Sequence, residues 1–356
     1  MKSFMVLCLL MTACSSWKQK DFEKSLEKPS AESIPDVPVK DKKLLEKFEV
    51  QDKKPSPVEV KKEIPEPVKE VKKTSVPVAP KKSQAPVVVK KNEPAPVAAP
   101  EVKGPPKNYP PELLPLNEKG KAVWAQYKPN HSIGQKVFLD IHYLGMTVGK
   151  IMVLNQGKKM VNGKEVWHFH ARFKSAPFYS NIYELDDIVD TYVLTENFMS
   201  VRYSLVQRES KQAIDDLQLH DRDALKTFWF YKQKKSDGKI KNKDVKKPIP
   251  YYSVDPFSVL FLYQGLPLRD GDVYEIPIIN KGKILMLNSL VEGRESIETE
   301  FGMKKAIRLH ATTKYTGETL KSGDLYFWFS DDSERKLLKA SAKIKIGSVT
   351  ADIVKD

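Results

Sequence analysis

The chain has 356 residues, long enough for two domains, and a formal net charge of +14 from 60 Lys and Arg against 46 Asp and Glu. Its only cysteines are Cys8 and Cys14. Everything after Cys14 can therefore form no disulfide, no thiolate metal site and no cysteine nucleophile.

Lys2 forms a short basic start, followed by an apolar run from Phe4 to Met11. That run is too short to span a bilayer as a helix and has the length of a signal-peptide core. Met11-Thr12-Ala13-Cys14 resembles the lipobox of bacterial lipoproteins, with Met where Leu is commonest. The resemblance implies a signal peptide over 1–13, cleavage before Cys14, and acylation of its thiol and new amino group. The plainer reading is a secretory signal whose cleavage site happens to hold a cysteine. Ser15 follows, where Asp would resemble an inner-membrane retention signal, so the expected residence is the outer membrane, periplasmic face. Export argues against nucleic acid as the partner of the positive charge. Lys alternates with Glu and Asp almost everywhere, so the excess reads as spread, suited to an anionic membrane surface or acidic envelope polymer.

Of the 25 prolines, 17 lie between Pro29 and Pro111, in text made mostly of Pro, Lys, Glu, Val and Ala. Proline lacks an amide donor and pushes its predecessor out of the helical region, and aromatic residues are almost absent. Residues 14–112 are therefore expected to be a disordered tether behind the lipidated Cys14. Leu44, Leu45 and Phe48 alone have helical spacing, enough for a transient turn.

From Leu113 to the end, 113–356, Tyr, Phe, Trp, Ile and Val become frequent and strand periodicity dominates. Leu338, Ala340, Ala342, Ile344 and Ile346 alternate with Lys339, Ser341, Lys343 and Lys345. Met199–Leu205 and Ile307–Thr313 alternate in the same way, and such text fits antiparallel sheet. Asn162-Gly163, Asp237-Gly238, Lys281-Gly282 and Gly347 supply turns. Asp255-Pro256 is a helix start, with Phe257, Val259, Leu260, Phe261, Leu262 and Tyr263 behind it and Gly265 at its end. A helix apolar on nearly all sides should be buried. The fold class expected is all-β, mainly antiparallel: a strongly curved sheet or half-open barrel of ten to twelve strands with one short buried helix.

HYLGMTVGKIMV (142–153), DPFSVLFLYQGLPLRDGD (255–272), GRESIETEFGMKKAIRL (293–309) and YFWFSDDSERKLLKASAKIKIGSVTADI (326–353) resemble, in order, segments of the domain of unknown function family 3108. The likeness runs from about Gly134 to Ile353. It implies an exported or lipid-anchored protein of the Gram-negative envelope and brings no assigned activity. Lys336-Leu337 stands where the family often has a small apolar residue and proline, which puts only that turn in doubt. The inferred fold also looks like the bent sheets of periplasmic lipoprotein carriers, a likeness of architecture alone.

Chemistry is sparse. His168 and His170 share a strand face at a spacing usable for metal, but no carboxylate or third His stands near them in sequence, and a solvated outer face is the simpler account. Asp186, Asp187 and Asp190 read as a turn leading into a strand. Asp331 and Asp332, with His310, are the most plausible place for acid–base chemistry, yet a hairpin explains the aspartates. No catalytic motif, cofactor or metal is expected. Consecutive aromatics at Phe228–Tyr231 and Tyr326–Phe329 place rings on both strand faces. Candidate binding residues are therefore Phe257, Leu260, Phe261, Trp229 and Trp328, and only Cys14 is assigned a modification. The leading reading is a membrane-anchored, non-catalytic binding or scaffolding domain whose partner is an envelope protein, cell wall or lipid. The alternative is a carrier of lipid or another apolar ligand; a cell-wall hydrolase comes third.

Overall fold

The computed structural model describes residues 24–26, 35–39, 41–52, 106–315 and 324–355. The expected lipidation at Cys14 and most of the expected tether lie outside these residues.

Alternation of apolar and polar residues builds fifteen strands among the described residues. They are β1 (Val50–Asp52), β2 (Lys136–Tyr143), β3 (Met146–Val161), β4 (Lys164–Ser175) and β5 (Leu185–Leu194). Next come β6 (Ser200–Glu209), β7 (Gln212–Asp221), β8 (Lys226–Lys235), β9 (Ile240–Pro248) and β10 (Val273–Asn280). The rest are β11 (Lys283–Thr299), β12 (Gly302–Tyr315), β13 (Leu325–Ser330), β14 (Leu337–Lys343) and β15 (Ser348–Val354). Fourteen lie beyond Lys136, more than the ten to twelve expected. Some turns carry no sequence signal: Ser210-Lys211 joins β6 to β7 without Gly, Asn or Asp.

All named strands pair antiparallel in one sheet, ordered β10-β11-β12-β13-β14-β15-β2-β3-β4-β5-β6-β7-β8-β9, with β1 added beside β3. The β15–β2 pairing joins the two halves of the meander, Ile353 opposite Leu139. The end strands β9 and β10 do not pair with each other. The β10–β11 turn instead reaches across: the Lys281 amide donates to Gln218 Oε1 of β7 at 2.8 Å. Gly282 is required there, at φ +67, because a Cβ would sit 2.9 Å from Val245 Cγ1 of β9. The result is the expected curved, half-open barrel.

Helices α1 (Lys42–Lys47), α2 (Leu114–Trp124) and α3 (Ser258–Gln264) accompany the sheet among the described residues. The expected buried helix is α3. Asp255 is fully buried and caps it, accepting from the amides of Phe257 and Ser258, both at 2.9 Å. Its other oxygen accepts from Ser200 Oγ at 2.6 Å and from the hydroxyls of Thr191 and Ser258. These bonds tie α3 to the inner face of β5 and β6. Phe261 then stacks on Phe169 of β4 with ring centroids 3.8 Å apart.

Helix α2 was not foreseen. Pro115 fits its first turn, and Gly120 lets it approach Tyr252, where a Cβ would meet Tyr252 Cβ at 2.5 Å. Part of the expected tether is likewise structured. Asp41 caps α1 through the Leu44 amide, and β1 pairs Val50 with Val161. Phe48 is 2% exposed, and Asp36 bridges to Lys232 of β8 at 2.5 Å. Leu26 is buried against Phe138, Met152 and Val354. These pieces belong to the β domain because their apolar side chains cover the sheet face opposite α3.

Candidate functional site

The five candidate binding residues do not form one site. Phe257, Leu260 and Phe261 belong to the α3 region, but only Phe261 is buried. The helix was expected to bury all three most deeply; Ser258, Leu262 and Tyr263 hold those places at 0% exposure. Phe257 and Leu260 are half-buried. Trp229 lies at the seam where Gly282 of the β10–β11 turn meets β8 and β9. Trp328 points to the opposite face, donating Nε1 to Glu295 Oε1 at 2.5 Å, with the Arg308 guanidinium 5.5 Å and the Lys339 ammonium 5.9 Å from its ring. It is buried in a small apolar cluster with Ala306, Leu338 and Ile353, its ring capped by these cations, rather than in an inner groove.

Around Phe257 the inner face is apolar and incompletely covered. Ala171, Val189 and Tyr203 are buried there, while Ile151, Val153, Phe173 and Leu205 pack against them half-exposed. This strip leads along β3 and β4 toward one end of the sheet. In an antiparallel meander alternate turns share an end, and three neighbouring turns at that end carry bulky apolar tips. Val349 of β15 lies opposite Tyr143 of β2, and the Ala176 amide donates to Val148 O at 2.9 Å, so the three turns adjoin. Leu144, Phe178, Ile182 and Ile346 are 61%, 66%, 70% and 69% exposed, and Met146 and Ile344 are also exposed. Leu144 stands at φ +49, an unusual place for Leu, which holds its side chain at the turn tip. The alternation expected through Ile346 thus ends at Lys343, and Ile344 and Ile346 stay out of the core.

The β8–β9 hairpin is basic: from Lys226 to Pro248, nine lysines face two aspartates, a net +7 out of the chain's +14. Lys226, Lys246 and Lys247 lie at its far end, away from the β8–β9 turn. At the rim end Lys211, Lys234, Lys235, Lys239 and Lys345 lie exposed on or beside the turns.

On the opposite sheet face the two histidines are not solvated. His168 is 6% exposed, and its Nε2 lies 2.7 Å from Asp190 Oδ1; His170 Nδ1 reaches the same oxygen at 2.8 Å. Antiparallel pairing supplies the missing carboxylate by setting Asp190 of β5 opposite His170. Asp186, Asp187 and Asp190 are thus strand residues, not a turn. Burial would raise the Asp190 pKa, but the bonds from His168 and His170 outweigh it and hold the carboxyl well below its usual range. Asp187 has no such partners. Burial pushes it up to about 6, with the Gln207 hydrogen bond working the other way.

The third candidate cluster does not converge. His310 of β12 lies opposite Tyr326 at one end of β13, while Asp331 and Asp332 follow its other end. Tyr326 and Asp331 are five residues apart along the strand, about 17 Å. Asp332 Oδ1 accepts from the Glu334 and Arg335 amides, as a turn cap does, and Asp331 pairs with Arg294 and Arg335. His310 is bound to Asp324 at 3.0 Å.

Among the described residues no helix is long and apolar enough to cross a membrane. No curated protein matches the chain. Among solved structures it is similar to a beta-barrel-like protein of domain of unknown function DUF1849 from Brucella abortus, with 11% identity, a TM-score of 0.40 and coverage of 63% of this chain and 96% of that one. A provisionally assigned lipoprotein from Parabacteroides distasonis shows 8% identity and a TM-score of 0.29 over 64% and 97% of the two chains. A provisionally assigned exported protein with a YmcC-like fold from Bacteroides fragilis shows 9% identity and a TM-score of 0.28 over 64% and 96%. The family model described as "Protein of unknown function (DUF3108)" matches residues 139–354, more than half of the chain, and the chain belongs to that family.

Proposed function

We propose that this protein is an acyl-anchored envelope lipoprotein whose β domain, without catalytic activity, receives an apolar chain such as a lipid tail on the inner face beside α3. The observation that carries the reading is that β3 and β4, which carry the half-exposed strip at Ile151 and Phe173 beside Phe257, lead into turns bearing the exposed apolar residues Leu144, Phe178 and Ile182. Clustered exposed apolar surface marks a binding site. The lysines of the same end suit anionic headgroups. Cys14 would hold the domain at the outer membrane on its periplasmic side, which follows from the lipobox and Ser15.

Scaffolding is the second reading, favoured by how far α3 already fills the inner face, with Phe261 stacked on Phe169. Titrating the purified chain with a fluorescent fatty acid separates the two. Saturable one-to-one uptake, lost in Phe257→Asp, is expected of a carrier. An unsaturable, weak response identical in wild type and variant leaves only the scaffold.

A further inference from the structure

We propose that His168, His170 and Asp190 form a binding site for one divalent transition-metal ion of the zinc class, on the sheet face opposite α3. His168 and His170 lie two apart on β4 and share a face, and Asp190 stands directly across from His170 on β5. His168 Nε2, His170 Nδ1 and an Asp190 carboxylate oxygen all lie within 4.8 Å of one another. An ion bound at about 2.0–2.1 Å from each donor holds tetrahedral ligands about 3.3–3.4 Å apart, so the imidazoles would draw away from the Asp190 oxygen by about 0.6 Å and close on each other by up to about 1.5 Å, movements that rotation about the side-chain bonds provides.

The donors are held for this purpose by rigid strands in the middle of the sheet. Tyr192 stacks on the His168 ring at 4.3 Å and fixes its orientation. Two imidazoles and one carboxylate suit zinc, nickel, cobalt or copper and not calcium or magnesium, which prefer all-oxygen shells. Three protein donors leave a coordination position open for water or another ligand. Arg202, opposite Tyr192 on β6, brings a positive charge to this neighbourhood while donating Nη1 to Phe48 O at 2.9 Å. Its repulsion disfavours a loosely held hard cation and leaves only an ion with strong inner-shell bonds. The segment through Phe48 crosses beside the site, so the residues read as tether in the sequence form part of its surroundings.

The test is equilibrium dialysis of the full, chelator-stripped chain in detergent against zinc chloride, with metal counted by mass spectrometry and the cobalt form followed by visible absorption. One zinc per chain is expected, with no retention of magnesium or calcium and with cobalt bands typical of nitrogen and oxygen ligands. His170→Gln and Asp190→Asn should each weaken zinc binding at least tenfold, while His310→Gln leaves it unchanged. Circular dichroism on the metal-free variants checks folding. Sub-stoichiometric zinc in the wild-type chain overturns the site by itself, whatever the variants do. Equal binding by a folded His170→Gln variant overturns it too.

Discussion

Asp187 and Asp190 are three residues apart on one strand and titrate in opposite directions, because neighbours and not residue type decide the cost of a buried charge. Asp190 has two imidazoles against it; Asp187 faces Gln207 and the Arg208 amide at 2.8 and 3.1 Å. For Asp187 the folded pKa, about 6, exceeds the usual aspartate value of 3.8. Its stabilising contribution is complete below the unfolded value and is lost as pH rises through about 6. Asp187→Asn removes that loss. The variant's melting temperature should therefore gain on wild type between pH 4 and pH 7, read by thermal scans at both. Parallel pH profiles would show that Asp187 is as well solvated folded as unfolded. Arg222 shows the same principle inside the barrel: burial lowers its pKa to about 9, while the Asp255 carboxylate opposes the shift. Three backbone or hydroxyl acceptors on Ser200 and Ser253 hold the guanidinium at 2.6–2.9 Å.

At the scale of elements, α3 and the strip before β2 carry the most informative differences from the sequence reading. The helix itself was legible: Asp255-Pro256 and the apolar run can hardly mean anything else. Its orientation was not, since a run apolar on all sides does not say which residues face the sheet. Leu262 and Tyr263 face it, and Leu260 does not. Leu262→Asp should abolish cooperative unfolding, because an unpaired buried charge costs about 4–5 kcal/mol or more of a total of about 5–15. Leu260→Asp should retain a sharp transition in the same urea titration. The reverse order would mean that the helix is rolled about its axis. The outer layer was hidden for another reason. Phe48 lies in proline-rich, charged text that looks incapable of forming a core, and it forms none alone; it borrows the apolar face of a sheet beginning more than eighty residues later. Phe48→Ala in the full chain should cost about 3–5 kcal/mol by urea denaturation, as a buried Phe does and a tether Phe does not.

For the whole molecule, the sheet was legible because a period of two survives in any single strand. What strands bring together across the sheet was not. His168, His170 and Asp190 meet only through register, and the apolar rim only through the adjacency of three turns distant in sequence. Five lysines from three turns distant in sequence, Lys211, Lys234, Lys235, Lys239 and Lys345, come to that same end for the same reason. That end combines exposed Phe178, Ile182 and Ile346 with turns bearing lysines, which is what the proposed carrier would need at an anionic bilayer. Movement of a fluorescent phospholipid between two populations of anionic vesicles puts this to the test, using the Cys14→Ala chain so that no anchor contributes. Faster transfer with wild-type rim residues, abolished when Phe178, Ile182 and Ile346 are all changed to Ser in a chain with an unaltered melting temperature, is the expected result. Transfer at the uncatalysed rate with the intact rim, or undiminished transfer by the triple variant, would contradict an apolar-chain carrier that opens at this end.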